Sequence, residues 1–237
     1  MAAVDLAQLL AAPVSKLPPG PRRPASRENH RMRLLAAVLG VAADLGYQEV
    51  RVADIVERAQ VSRRTFYEHF TDKEQCFLAA YEEWAGLLME RTAKPRPRTD
   101  NPVDQFLRGL DGYIAAVSAS PALTRVFQID IVQVGYAGVR RRRTAYRQWA
   151  EMLAAFARTF VDEAGRPLLR AVSPSLWQVL VAAVNERVLQ AVEEVAEVTD
   201  VDGLRHDLLV IILDVVAPRR PAGTVASLLE RAAALRA

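Results

Sequence analysis

Residues 52–70 read VADIVERAQVSRRTFYEHF, in which two short helical patterns lie on either side of an interruption. Its first eight residues place their apolar side chains on one side of a short helix, and Gln60 interrupts the pattern. Ser62 is a favourable N-cap for a second short helix that we expect to end near His69. Phe66 and Phe70, four residues apart, then face the core. Two short helices separated by a tight turn predict a helix-turn-helix.

The second helix of this motif has a basic outer face. With both phenylalanines turned inward, Arg63, Arg64 and Tyr67 point outward. Arginine forms paired hydrogen bonds with guanine edges in the major groove, and Thr, Tyr and His side chains donate to phosphate oxygens. Backbone N–H groups at the next helix start, together with Lys73, offer a second phosphate site. Arginines on a short helix can also be a solvated face, but the whole pattern favours DNA.

Helical signals continue on both sides of the motif. A helix from about residue 26 ends before Gly46, a typical C-cap residue. Thr71 and Glu74 predict a capping box that opens a long amphipathic helix. Asn-Pro at residues 101–102 and Ser-Pro at residues 120–121 and 173–174 mark further helix starts. We expect helices at about 102–118, 121–134, 140–164, 174–198, 203–217 and 224–236, and strand signals are nearly absent. The fold class is all-α.

The sequence over about residues 26–81 resembles the DNA-binding domain of the TetR family of bacterial transcriptional regulators. The resemblance is carried by residues 46–47, 52–59, 61–70 and 72–74. The resemblance implies a homodimer with an N-terminal three-helix DNA-binding domain and a larger helical domain for dimerisation and small-molecule binding. Most such proteins are repressors that a ligand releases from double-stranded operator DNA, here expected to be palindromic. Carried onto this chain, the DNA contacts are Ser62, Arg63, Arg64, Thr65, Tyr67, His69 and Lys73.

The sequence pattern and the resemblance together predict three segments of the chain. We expect a basic, proline-rich arm at 1–25, the helix-turn-helix domain at 26–75, and an effector-binding and dimerisation domain at 76–237. A connecting helix at about 72–93 joins the two domains and is the expected lever between them.

Two positions depart from the family pattern. Arg51 stands where a Thr or Ser usually caps the second helix, and it exchanges that cap for a phosphate contact. Gln60 stands where the turn usually has Gly, and a left-handed residue with a Cβ costs on the order of 1 kcal/mol. These departures keep open an all-α ligand-binding or interaction protein with weakened DNA recognition. An activator on the same fold is a further alternative.

The charge is unevenly distributed. The chain has 31 Lys+Arg and 28 Asp+Glu, a net charge of +3 that indicates no partner. Residues 16–33 alone carry six basic residues and one acidic residue. We expect an extended arm here that either reaches a minor groove with Arg22, Arg23 and Arg27 or is a disordered leader. If the arm contacts DNA, deletion of residues 1–24 weakens operator binding and flattens its salt dependence, by about one log–log unit per lost phosphate contact.

The helices beyond the linker indicate a pocket and an interface. Large side chains in the middle helices predict an apolar ligand cavity, with an ordinary core as the alternative: Phe106, Tyr113, Phe127, Trp149, Met152, Phe156 and Trp177, with Asn185 as a polar contact. The last two strong helices are apolar on more than one face, which predicts a four-helix dimer interface or an intrachain core: Leu180, Val184, Val188, Leu204, Leu208, Ile211, Ile212 and Val215.

The sequence lacks the usual signals of an enzyme. Its three histidines lie in unrelated segments, Cys76 sits on an apolar stripe, and no glycine-rich phosphate loop occurs. We therefore expect no catalytic residue, no metal and no cofactor. No apolar run approaches the roughly 20 residues that span a bilayer, and a single cysteine suits a reducing compartment. The expected location is the cytoplasm, without a membrane partner.

Overall fold

The computed structural model describes residues 27–93, 102–193, 198 and 200–217. The expected arm, with Arg22 and Arg23, and the expected helix at 224–236 lie outside these residues. The described helices are α1 (Arg27–Leu45), α2 (Val52–Ala59), α3 (Arg63–Tyr67), α4 (Lys73–Ala93), α5 (Pro102–Ser118), α6 (Pro121–Arg125), α7 (Ile131–Gln133), α8 (Tyr136–Ala157), α9 (Pro174–Glu193) and α10 (Val201–Val216). Apart from one isolated bridge between Val161 and Pro167, these residues form no β-structure, which confirms the all-α fold.

The turns of the N-terminal domain follow local residue chemistry. Helix α1 ends at Leu45 because Gly46 adopts a φ of 81°. Gln60 joins α2 to α3 in the left-handed conformation, with φ 51° and ψ 48°. Its carbonyl accepts a hydrogen bond from the Arg33 guanidinium at 3.0 Å, so α1 supports this turn. The left-handed conformation expected at Gln60 is therefore present.

The start of α4 corrects the expected capping box. The Asp72 carboxylate accepts a hydrogen bond from the Gln75 amide at 2.8 Å, and the Gln75 side chain accepts one from the Thr71 amide at 2.6 Å. Asp72 thus caps the helix in place of Thr71, and Gln75 in place of Glu74 reaches back to the amide that precedes the cap. Because an N-cap residue lies outside its helix, the cap at Asp72 means that α4 begins at Lys73, one residue later than expected.

The C-terminal helices differ from expectation mainly at their ends. The segment expected as one helix at 121–134 contains a π-helical turn, Val126–Asp130, between α6 and α7. Helix α8 begins at Tyr136, earlier than expected, because the chain reverses at Gly135 with φ 87°. Gly138 packs so closely on the Ile131 carbonyl that a Cβ there would lie 1.7 Å from the oxygen. Helix α8 ends at Ala157, short of the expected end, whereas helix α9 is described as far as Glu193 and the next four residues of the expected helix lie outside the described part of the chain.

The cores of the two domains are continuous. Helices α1–α3 and the first half of α4 enclose fully buried Leu34, Phe66 and Phe77, and the same cluster includes Phe127 and Ile131 from the C-terminal half. The second half of α4 then packs with α5, α8, α9 and α10. Among the described helices, none combines the length and apolarity that a membrane crossing needs.

Candidate nucleic-acid interface and effector cavity

Helix α3 is held in place by a side-chain cap at its start and by two buried phenylalanines on its inner side. The Ser62 hydroxyl accepts a hydrogen bond from the Thr65 amide at 3.0 Å, which confirms the expected N-cap. Phe66 is fully buried, and Phe70 is 5% exposed with its ring 5.9 Å from that of Phe66. The rings fix the inner side of the helix, so the orientation of its outer side is fixed as well.

The outer side of α3 is basic and open to solvent. Arg63 and Arg64 are exposed, and Tyr67 retains 56% of its accessible surface. Arg64 Nε donates to a Glu68 carboxylate oxygen at 3.1 Å. Such an exposed pair contributes little free energy in water, so the guanidinium can exchange it for another acceptor. Three side chains that suit DNA therefore share one free face.

Lys73 occupies a structural position. Its ammonium donates to the backbone carbonyls of Tyr47 at 3.2 Å, Gln48 at 3.0 Å and Val50 at 2.8 Å. It also lies 4.8 Å from the centre of the Tyr47 ring. These carbonyls match the three protons of the ammonium, so Lys73 fastens the turn after α1 to α4. The sequence did not indicate this structural role, and the phosphate contact expected for Lys73 stays a prediction.

His69 is half-buried beside the end of α3. Desolvation, followed by the nearby charges of Arg27 and His30, lowers the pKa of His69. The imidazole is therefore neutral at neutral pH, and any phosphate contact would use an N–H donor without a full charge. The Arg27 guanidinium donates to the Glu68 carbonyl at 3.3 Å, which brings the start of α1 to the end of α3.

Arg51 lies exposed at the start of α2. Its backbone N–H donates to the Asp54 carboxylate at 3.0 Å, so an acid three residues later satisfies this amide. The guanidinium is left on the surface, where the sequence predicted a phosphate contact. The usual hydroxyl cap is absent, and the start of α2 is nevertheless held in place.

A cavity of about 530 Å³ lies among α4, α5, α8 and α9. This volume is within the roughly 300–1,000 Å³ that is typical of small-molecule sites. Most of the residues expected to form a pocket line it: Phe106, Tyr113, Phe127, Trp149, Met152, Phe156 and Asn185. Trp177 is not among the lining residues; it is 7% exposed and packs in the cluster that α9 forms with α10.

Sequence reasoning missed part of this lining. Tyr81 and Trp84 belong to the apolar stripe of α4, and only the tertiary structure shows that this stripe leaves the core to border a cavity. Gln128 and Tyr146 were also missed. The Gln128 amide donates to the Asn185 side chain, and the Tyr146 hydroxyl donates to Gln128 at 3.4 Å. One polar cluster therefore interrupts a mainly aromatic wall.

The π-helical turn connects the cavity with the DNA-binding domain. On the cavity side, the Phe127 ring stacks on Trp84 with centroids 3.8 Å apart. On the other side, the buried Asp130 carboxylate accepts a hydrogen bond from the Tyr47 amide at 3.0 Å. Burial raises the pKa of Asp130, and this hydrogen bond partly offsets the shift. A displacement of this turn therefore acts directly on the segment that follows α1.

The residues predicted to form either a dimer interface or an intrachain core are mostly buried within the single chain. Five of its residues are buried within their own chain: Leu180, Val188, Leu204, Leu208 and Ile212, each no more than 8% exposed. Side chains that form an intrachain core are not available to a second subunit. On the outer sides of the same helices two large apolar side chains are accessible, Val179 at 60% on α9 and Leu213 at 47% on α10. Val184, Ile211 and Val215 are half-buried.

Metal and nucleophile chemistry finds no support in the described residues. They contain no group of three or more His, Cys, Asp or Glu side chains placed to hold a metal ion. Cys76 is fully buried, and desolvation raises the pKa of its thiol well above the ordinary value. A thiol in this setting is a poor nucleophile, because only the thiolate reacts readily.

Comparison with known proteins matches this geometry. Residues 34–80 match the model of the bacterial regulatory proteins of the tetR family. Over 101 residues, the chain is 32% identical to the HTH-type transcriptional activator FasR of Mycolicibacterium smegmatis, an alignment that covers 41% of this chain and 46% of that protein. The aligned part is thus under half the length of this relative. The family match confirms the resemblance inferred from residues 46–74.

Solved structures extend the likeness to between 75% and 81% of this chain. The fatty acid degradation regulator FadR from Bacillus halodurans superposes with a TM-score of 0.64 at 16% identity, covering 81% of this chain and 97% of that one. FadR from Bacillus subtilis, in complex with stearoyl-CoA, gives 0.61 at 16% identity, with 75% and 96% covered. A regulator from Saccharomonospora viridis, in complex with choline, gives 0.60 at 20% identity, with 81% and 100% covered.

Proposed function

We propose that this chain, whose N-terminal domain is of the TetR type, is a transcriptional regulator that binds double-stranded operator DNA and responds to a small molecule. The observation that carries the proposal is the free basic face of α3, with Arg63, Arg64 and Tyr67 held outward by the buried Phe66. A recognition helix in this state reads base edges and phosphates in the major groove. Arg51 and Arg27 flank this face and add phosphate contacts.

The regulator acts as a homodimer. Paired recognition helices must reach successive major grooves roughly 34–36 Å apart, which one chain cannot do. We assign the interface to the outward faces of α9 and α10, where Val179 and Leu213 leave large apolar surface exposed. Leu213→Glu is expected to give monomers in analytical ultracentrifugation. Leu213→Ala, which adds no charge, should stay dimeric, and a dimeric Leu213→Glu protein would refute this interface.

The effector occupies the cavity beside α4. Its lining is mainly aromatic and aliphatic, so the effector is largely apolar. The stearoyl-CoA held by the Bacillus subtilis neighbour carries a long apolar chain and supports an elongated ligand here. Binding reaches the DNA-binding domain through the π-helical turn, where Phe127 borders the cavity and Asp130 holds the Tyr47 amide. A thousandfold loss of DNA affinity requires the effector to favour the released state by about 4 kcal/mol.

The main reading is a repressor that its effector releases. The activator FasR, similar over 101 residues, favours activation as a second candidate. Both begin with the same DNA contact, and a reporter gene placed behind the selected operator separates them. Deletion of the regulator raises reporter expression if it represses and lowers expression if it activates.

Selection of bound sequences from random double-stranded DNA tests the proposal. The purified dimer is expected to enrich a palindromic site. Arg64→Ala and Tyr67→Ala should then weaken binding in gel shifts, whereas Arg147→Ala, an exposed arginine on α8, should not. A protein that enriches no sequence would instead be a ligand-binding protein without DNA recognition.

A further inference from the structure

We propose that the π-helical turn, Val126–Asp130, is a conformational switch that the hydrogen bond between Gln128 and Asn185 holds in the π form. When this bond breaks, the turn gives up its extra residue, returns to α-helix and withdraws Asp130 from the Tyr47 amide. The inference rests on the proposed function and deepens it, because it names the bond that an effector must break and the movement that follows.

The turn contains a residue that regular helix does not need. A π-helical turn bonds each amide to the carbonyl five residues earlier, so it holds one residue more than an α-helical turn. Such turns are rare and often lie at functional sites within longer helices. Here regular helix lies on both sides, in α6 and α7. If the extra residue leaves the turn, the residues that follow rotate by about 100° relative to α6.

The end of the turn that moves is the one next to α7. The Thr124 hydroxyl of α6 donates to the Val117 carbonyl of α5 at 2.8 Å. The Arg125 guanidinium donates to the Val192 carbonyl of α9, also at 2.8 Å, so α6 is fixed on two sides. Helix α7 has only three residues, and the chain then reverses at Gly135 with φ 87°. A rotation therefore displaces α7 and the end of the π-helical turn and leaves α6 in place.

Gln128 is the residue of the turn whose hydrogen bonds an effector can reach. It lines the cavity together with Asn185 and Tyr146. Its side-chain amide donates to Asn185 of α9 and accepts from the Tyr146 hydroxyl of α8 at 3.4 Å. Asn185 also donates to the Val181 carbonyl at 2.8 Å, so its own amide is held by α9. A polar group of an effector that bonds to either amide competes with the bond between them.

On its other side, the turn and α7 hold the segment after α1. The Asp130 carboxylate accepts from the Tyr47 amide at 3.0 Å, and the Gln133 carbonyl accepts from the Gln48 side chain at 3.1 Å. Lys73 holds the same segment from within the DNA-binding domain. The segment leads directly into α2, which packs on α3. Once α7 rotates, the segment keeps its contacts to the DNA-binding domain only, and the position of α2 beside α3 is less restrained.

Hydrogen exchange, resolved by NMR for single amides of the full-length protein without DNA or effector, tests the proposal. Gln128→Met and Asn185→Leu remove the bond and keep most of the side-chain volume. We expect the Tyr47 amide to exchange about fivefold faster in both variants, the effect of one lost hydrogen bond. The amides of residues 129–133 should exchange faster as well. The amides of α6 should exchange as in the parent protein, because α6 does not move.

Met152→Ala is the control, because it shortens a side chain of the same cavity wall and leaves the Gln128 bonds intact. Its Tyr47 amide should exchange as in the parent protein. Thermal unfolding first establishes which variants are folded, and either bond-breaking variant is sufficient. The proposal is wrong if Tyr47 exchange is unchanged in a folded variant, if α6 accelerates equally, or if Met152→Ala has the same effect. It is also wrong if neither variant folds, because the bond then belongs to the core.

The outcomes separate this inference from the proposed function. Gel shifts of the parent protein test DNA binding independently of the exchange measurements. A protein that binds no DNA but shows the expected exchange pattern has the switch without the proposed function. A protein that binds its operator but shows unchanged exchange at Tyr47 keeps the function and refutes the switch.

Discussion

The two halves of α4 lie in contrasting surroundings. In the first half, Cys76 and Phe77 are fully buried in the core of the DNA-binding domain. In the second half, Trp84 and Leu88 face a cavity of about 530 Å³. One continuous helix therefore joins a domain with a filled core to a domain whose aromatic rings surround a space. Similar apolar stripes on one helix therefore either pack in a core or line a cavity, depending on the side chains that the neighbouring helices place against them.

The largest expected effect tests this contrast directly. Phe66→Ala removes a fully buried ring from the filled core and should reduce the free energy of unfolding by about 3–5 kcal/mol. Phe156→Ala removes a half-buried ring that already borders the cavity, and it should cost less than half as much. Urea unfolding measures both values. Equal losses would mean that the cavity wall is packed as tightly as the core.

Lys73→Met tests how the turn after α1 is attached to α4. The substitution leaves three carbonyls without their shared donor and should destabilise the protein by about 1–3 kcal/mol. Arg63→Met, on the exposed face of α3, should change stability by no more than about 0.5 kcal/mol but weaken DNA binding. Salt titrations of the folded Lys73→Met protein should keep the parental slope. A slope lower by about one unit would instead indicate that Lys73 contacts a DNA phosphate.

Asp130 tests the junction between the two regions. Asp130→Ala leaves the Tyr47 amide without its acceptor and should cost about 1–2 kcal/mol. Asp130→Asn retains an acceptor and should cost less. Because burial raises the pKa of Asp130, its stabilising contribution is full below the unfolded pKa and is lost as pH rises through the folded value. Asp130→Asn should remove this part of the pH dependence, and an unchanged stability–pH curve would contradict the assignment.

His69 gives the smallest expected effect. Its folded pKa is lowered from the usual 6.5, so the unfolded chain binds the proton more readily. The contribution of His69 to stability is full above about pH 6.5 and declines as pH falls through that value to the folded pKa. His69→Gln should flatten thermal unfolding temperatures over this interval. His206→Gln, in the C-terminal domain, serves as the comparison, and a slope unchanged in His69→Gln would contradict this account.

The local part of the fold was predictable because local chemistry fixes it. The Ser62 cap, the inward Phe66 and Phe70 and the left-handed Gln60 all follow from residues a few positions apart. The cap of α4 was misplaced by one residue because Thr71 and Asp72 are both suitable N-cap residues and the sequence does not choose between them. The end of α8 was misplaced because helical periodicity continues past Ala157, while the following turn is held by Asp162 and Arg166.

By itself, the sequence determined the helix-turn-helix, its outward arginines and the all-α class, since caps and 3.6-residue periodicity act over one or two turns. The partners of Lys73, the face of α9 and α10 that forms the chain's own core and the aromatic residues around the cavity became known from the helix packing. An apolar residue at helical spacing indicates that its side chain avoids water, but the spacing does not identify the residues that pack against it. That choice depends on helices distant in the chain, whose crossing brings Tyr81, Tyr113 and Phe127 to one wall.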